Sequence, residues 1–159
     1  MPELNAILTQ DDGRAIPIKI GTLTLARDNS TNIRMLKIAS GSLTAGLGNT
    51  YAFAWQNPES TAIIVREIII DITTAATAAA TLDVDVVANA TSNSNTIFSA
   101  IALNGARLFT SLEVGSGGNE YPHYVDAKGG ANDWVTGYES ANQSMAAMVA
   151  KYYIIYQEV

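Results

Sequence analysis

The strongest hydrophobic pattern runs from Ile63 to Thr74, where the chain reads IIVREIIIDITT. Side chains alternate across a strand, so positions two apart share a face. That spacing predicts Ile64, Ile68, Ile70 and Ile72 on an inner face, with Arg66 as the exception. Val65, Glu67, Ile69, Asp71 and Thr73 then form a mixed, partly wet face. The small-residue run TTAATAAAT follows. Its alanines suit a helical turn, but the flanking threonines and β-branched residues favour a long connection between strands. Leu82, Val84 and Val86 next alternate with Asp83 and Asp85. The two segments read as strands of one antiparallel sheet, with the aspartates on its solvent side.

Other stretches repeat the strand rhythm less cleanly. In TYAFAWQNP (50–58), Tyr51, Phe53 and Trp55 share one face, and Asn57-Pro58-Glu59-Ser60 is a turn. Three aromatics on one strand face bury a large apolar area and suit a core. Ile16, Ile18 and Ile20 alternate with Pro17, Lys19 and Gly21, and Pro17 confines that strand to an edge. Around Ile33, Met35 and Ile38 neither face is cleanly apolar, and the small, Gly-rich residues that follow read as a loop or an irregular strand pair. Residues 97–103 fit a strand or a short helix, and Asn104-Gly105 is a hairpin signal. Short strands are expected in HYVDA and WVTGYES. Residues 141–150 leave a helix open. At the end, Met148, Tyr152, Ile154 and Tyr156 share one face, and Val149, Tyr153, Ile155 and Val159 share the other. Apolar residues on both faces predict a central strand, or one covered by a partner. Strands at short spacing, bounded by turn signals, predict an all-β single domain, a β-sandwich of jelly-roll-like form over 15–159. Residues 1–14 read as an extended N-terminal arm.

Composition sharpens this picture. Of 159 residues, 48% are hydrophobic and 15% charged, against about 25% charged in an average soluble domain. So few charges suggest that partner chains cover some surface. The net charge is −6, and Lys and Arg are scattered singly, which argues against direct nucleic-acid binding. There are no cysteines, so disulfides and thiolate metal sites are excluded. No apolar run approaches the roughly 18 residues of a membrane-spanning helix, and the first residues lack the pattern of a secretory signal.

The candidate chemistry is thin. His123 stands alone among histidines, with Asp126 and Asp133 nearby in sequence. It reads as a loop or strand-edge histidine, because a transition-metal site would lack a second nitrogen or sulfur ligand. Asp83 and Asp85 lie about 7 Å apart along a strand, a spacing open to a carboxylate enzyme but equally to a sheet face kept wet by charge. The Asp and Asn clusters at 83–95 and 126–133 lack the spacing of a calcium loop. No catalytic constellation, metal site or cofactor is expected, and the chain reads as a non-enzyme. An aromatic set, Tyr121, Tyr124, Trp134 and Tyr138, marks a candidate surface-recognition loop for glycans.

The stretches TYAFAWQNPESTAIIVREIIIDIT, LDVDVVANAT, KGGANDWVTGYES and YYIIYQEV resemble virion structural proteins of tailed bacteriophages. Among these they are most similar to small capsid decoration, or head-stabilising, proteins, and the likeness spans 50–159. The resemblance implies a protein made in the host cytoplasm and seated on the virion exterior, often as a homotrimer. There it would clamp neighbouring major-capsid subunits against packaged DNA. It also implies that an N-terminal arm reaches the shell or a neighbouring protomer, a role that falls here to Leu4, Ile7, Leu8, Ile16 and Ile18. The alternative is a tail or head-fibre module that binds cell-surface glycans.

Overall fold

The computed structural model describes residues 36–112 and 122–159, together with the backbone of 5–9 and 15–19. The chain divides into two units, Met1–Arg34 and Met35–Val159. In the first, β1 (Asn5–Thr9) pairs antiparallel with β2 (Ala15–Lys19), setting Leu8 opposite Ile16 and Ile7 opposite Pro17. A two-stranded sheet leaves each strand one free edge, a position that tolerates proline.

The second unit is a β-sandwich, as the strand spacing predicts, and no helix occurs among the described residues. Its strands are β3 (Lys37–Ser42), β4 (Tyr51–Gln56), β5 (Ile63–Thr74), β6 (Thr81–Val87), β7 (Phe98–Ala102), β8 (Arg107–Thr110), β9 (His123–Val125), β10 (Trp134–Glu139) and β11 (Val149–Glu158). One sheet has the order β4-β10-β6-β7. The other runs β3-β11-β5-β8, with β9 also on β5. Strand β11 is central, between β3 and β5; its inner face, with Tyr152, Ile154 and Tyr156, is buried, while Tyr153 and Ile155 on the outer face are half-buried. Thr110 pairs with Ile69 and His123 with Val65. β8 and β9 therefore run in one direction along the same edge of β5. Ser111 follows β8: its backbone N–H donates to Ile68 O at 2.9 Å, and Ile68 N–H donates to Ser111 Oγ at 2.8 Å.

Inward residues from both sheets form one core that includes Ile63, Val65, Ile68, Ile70, Leu82, Val84, Phe98, Val135 and Ile154. Each fully buried Ile or Leu contributes about 1.5–3 kcal/mol. The centre is built on two glycines. The Phe53 ring lies over Gly137 of the neighbouring strand, where a Cβ would come within 2.2 Å of it. Tyr152 likewise lies over Gly41, where a Cβ would meet its ring at 2.7 Å. The two rings then stack across the sandwich at 4.4 Å and 19°, a contact worth about 0.5–1.5 kcal/mol beyond area.

Bulges explain where simple alternation fails. In β5, Glu67 pairs with Ile155 and Val65 with Tyr156, so Arg66 is an extra residue. The buried set is therefore Ile63 and Val65 before the bulge and Ile68, Ile70 and Ile72 after it. Ile64 belongs to the outer face, not with Ile68 as period two predicts. In β4 the register skips Ala52, between Phe53 opposite Gly137 and Tyr51 opposite Tyr138. Tyr51 is thereby turned outward, and the expected aromatic row is split. Strands β5 and β6 lie in different sheets rather than in one, because residues 75–80 cross the sandwich. Asn104-Gly105 likewise joins strands of different sheets and not a hairpin. Residues 141–148 are bends and turns that lead into β11, and 98–102 are strand.

Candidate assembly surface

The outer face of the five-stranded sheet is laid out by register. Ile38 of β3 stands beside Ile155 of β11, and Ile155 beside Glu67 of β5. The next row is Ser40, Tyr153, Ile69 and Thr110, and the one after it Ser42, Lys151, Asp71 and Leu108. At the other end Gln157, Ile64 and Tyr124 line up. Ile38 is 68% exposed, Tyr124 58% and Leu108 57%, while Ile64, Ile69, Tyr153 and Ile155 are half-buried. Glu67 accepts a hydrogen bond from Thr110 Oγ1, which holds its carboxylate at the side of the apolar rows. Leu36, 59% exposed, extends the apolar surface past the start of edge strand β3. Contiguous exposed apolar side chains rimmed by polar ones mark interaction sites.

The outer face of the other sheet is finished differently. Residues 88–97 fold over it: Thr136 Oγ1 donates to Ser92 O at 2.9 Å, and Thr96 Oγ1 donates to Asp85. Thr136 is 1% exposed and Asp85 6%, so Asp85 is not on a wet face as alternation predicts. Its Oδ1 also accepts from Val86 N–H. Asp83 Oδ1 accepts the N–H of Ala100 at 2.6 Å. Ala100 has a φ of 52° and sits where the β6–β7 register shifts. Both aspartates thus satisfy irregular backbone locally, which accounts for their placement without a substrate.

Two buried carboxylates bracket β10. Glu139, 0% exposed, faces inward beside Leu82. It accepts backbone N–H groups of Asn49 (2.9 Å), Thr81 (3.4 Å), Ala141 (3.0 Å) and Gln143 (3.2 Å), tying together three connections at one end of the sandwich. At the other end Asp133 accepts from Gln56 Nε2 and Gly129 N–H, each at 2.7 Å. Burial opposes its ionisation, but these hydrogen bonds and the Lys128 charge outweigh that and hold its pKa below the usual carboxylate value. Beside it Asn57, also buried, donates through Nδ2 to Thr61 O and Asp126 O.

A clasp closes the rim near β3. Lys37 Nζ reaches Glu158 at 2.5 Å and Glu59 at 2.8 Å, Thr61 Oγ1 donates to Glu158, and Tyr156 Oη donates to Glu59. The hydrogen bond to Glu158, then that to Glu59, pushes the Lys37 pKa up, and the same contact with Lys37 lowers that of Glu158. Burial, followed by the bond to Glu59, raises Tyr156. His123 shares the inward side of its strand pair with Val65. Burial lowers its pKa, and the Asp85 charge offsets this in part.

Of the predicted contact residues, Ile7 and Leu8 lie in β1 and Ile16 and Ile18 in β2, while Leu4 and Tyr121 fall outside the described residues. Tyr124 is on β9, on the outer face of the five-stranded sheet. Trp134 and Tyr138 are on β10, on the outer face of the four-stranded sheet, where Tyr138 packs against Tyr51 at 5.0 Å. Tyr124 is not brought together with the other two. The outward apolar rows were foreshadowed by Tyr153 and Ile155. Ile38 carried no comparable signal, since it stands in an irregular stretch, and Leu108 lies in 106–114, whose loose alternation reads as a strand, borne out by β8, without marking an outward face. Glu139 carried none at all, because its partners are backbone groups from distant segments.

No protein-family model and no curated protein matches the chain. Among solved structures it is similar to the cyanophage Pam1 capsid asymmetric unit, at 17% identity and a TM-score of 0.48, over 87% of this chain and 94% of that one. A second likeness is to the structure of infectious bursal disease virus Gt strain, at 10% identity and a TM-score of 0.21, over 97% of this chain and 50% of that one. At these scores neither likeness bears on function.

Proposed function

We propose that this chain is a structural, non-enzymatic virion protein that decorates the outside of an icosahedral phage capsid as a homotrimer and clamps neighbouring major-capsid subunits. The observation that carries the reading is the outer face of the five-stranded sheet. It presents Ile38, Ile155, Tyr153, Ile69, Ile64 and Leu108 in adjacent rows, two of them, Ile38 and Leu108, more than half exposed. Low charge and the resemblance of 50–159 to head-stabilising proteins support the same reading. A capsid lattice repeats its sites, so modest contacts gain by avidity. In this reading Leu4, Ile7, Leu8, Ile16 and Ile18 supply a second contact from the N-terminal segment. Glycan binding by a fibre module would need its aromatic side chains on one surface, and Tyr124 lies across the sandwich from Trp134 and Tyr138.

The test is co-sedimentation with phage heads assembled without this chain, read together with the temperature at which those heads rupture. Saturable binding and a higher rupture temperature are expected, and both should be lost on replacing Ile38 and Ile155 with Lys. Absence of binding by the wild type would overturn the reading.

A further inference from the structure

We infer that Asn104 is a site of spontaneous deamidation, and that its conversion loosens the crossover between the two sheets. Asn104-Gly105 is the one Asn-Gly pair in the sequence. The reaction needs the backbone nitrogen of the following residue to reach the Asn side-chain carbonyl carbon, and glycine obstructs that approach least. The surroundings of Gly105 are open: a Cβ placed there would meet nothing within 4 Å. Asn104 itself is exposed.

Five of the other asparagines of the described residues differ in ways that matter to this chemistry, and Asn93 and Asn132 are followed by Ser94 and Asp133 rather than by glycine. Asn57 is buried, its amide is hydrogen-bonded, and Pro58 behind it has no N–H to act as nucleophile. Asn89 Oδ1 is held by the backbone and hydroxyl of Thr91. Asn95 Nδ2 donates to Ser99. Asn49 and Asn142 are in the left-handed region, with φ of 58° and 54°, and are followed by Thr50 and Gln143.

In the reaction a bond forms between Gly105 N and Asn104 Cγ. The Cγ–Nδ2 bond breaks, and ammonia leaves with the backbone proton, giving a cyclic imide. Water then opens the imide. Attack at Cγ yields aspartate, and attack at the main-chain carbonyl yields isoaspartate, which carries the chain through the side chain and lengthens it by one carbon.

The position gives the change a consequence. Residues 103–106 connect β7 of one sheet to β8 of the other. Leu103, fully buried, is fixed at one end: its N–H donates to Ala80 O and its carbonyl accepts from Ala76 N–H, both at 2.9 Å. At the other end Arg107 lies over the Phe109 ring at 4.3 Å. An added backbone carbon and a new negative charge must be taken up between these anchors.

The test is to incubate the folded full-length protein in mildly alkaline buffer at 37 °C. Ammonia release is followed, and isoaspartate is mapped by peptide mass spectrometry and methyltransferase labelling. Expected are one converted site, at Asn104, a lower melting temperature of the converted fraction, and several-fold slower conversion in Gly105→Ala. That variant places its methyl in open space, so it should fold as the wild type does. Asn104→Asp adds the charge without the extra carbon and should melt closer to the unconverted protein. Conversion in the urea-unfolded chain but not in the folded one would overturn the proposal, as would conversion that leaves the melting temperature unchanged.

Discussion

On the four-stranded sheet the outward residues Asp85 and Thr136 are 6% and 1% exposed beneath residues 88–97, whereas on the five-stranded sheet the outward Ile38 and Leu108 are 68% and 57% exposed. Polar groups lie under the chain's own cover, and apolar groups lie in the open. A monomer optimised for water would show the reverse. The covered face uses its polar groups to hold a loop, and in the proposed reading the open face keeps its apolar rows for a surface outside the chain. Substitutions on the two faces should therefore separate into losses of folding and losses of assembly.

The largest effect is expected in the interior that both faces share. Glu139→Gln puts an amide N–H₂ among backbone N–H donors in a fully buried site and should cost about 3 kcal/mol in denaturant unfolding. On the covered face, Asp85→Ala leaves Thr96 Oγ1 and the Val86 N–H without their acceptor. It should cost about 2 kcal/mol, with faster hydrogen exchange over residues 88–97.

A smaller, pH-dependent effect belongs to His123. Its folded pKa is lowered from 6.5 by burial, so the unfolded chain takes up the proton first. The contribution is fully present above 6.5 and is lost as pH falls from there through the folded pKa. His123→Gln should flatten the decline in melting temperature as pH drops below about 6.5. Asp133, with a lowered pKa, loses its contribution only on further acidification, through that lowered value, and Asp133→Asn should remove that lower step. The smallest effect on folding is expected on the open face. Ile38→Ser and Leu108→Ser should each change unfolding free energy by no more than about 0.5 kcal/mol, while weakening self-association and capsid binding. A large loss of stability in either variant would mean that the face closes within the chain.

Much of the fold was legible because period-two alternation is a local property. The inner face of β11, with Tyr152, Ile154 and Tyr156, follows from spacing alone, while its apolar outer face left open a central place, which it has, or a covering partner. Arg66, an exception to the pattern, marked the bulge without revealing that the phase reverses across it. Sheet membership was not legible. Residues 75–80 and Asn104-Gly105 look like same-sheet connections, yet each crosses the sandwich, since pairing partners are chosen by distant strands. The apolar rows were half legible: Tyr153 and Ile155 are conspicuous in β11, but Ile38, Ile69 and Leu108 join them only through register. Glu139, in the middle of an unremarkable polar stretch, has a role that comes entirely from long-range backbone donors.

The most direct test is the solution mass of the purified protein by light scattering, for the wild type and for Ile38→Lys/Ile155→Lys. A wild-type trimer near three times 16.8 kDa is expected, and a doubly substituted chain that falls to the monomer mass while still unfolding cooperatively. A wild-type monomer, or a substituted chain that keeps the oligomer mass, would contradict the proposed assembly.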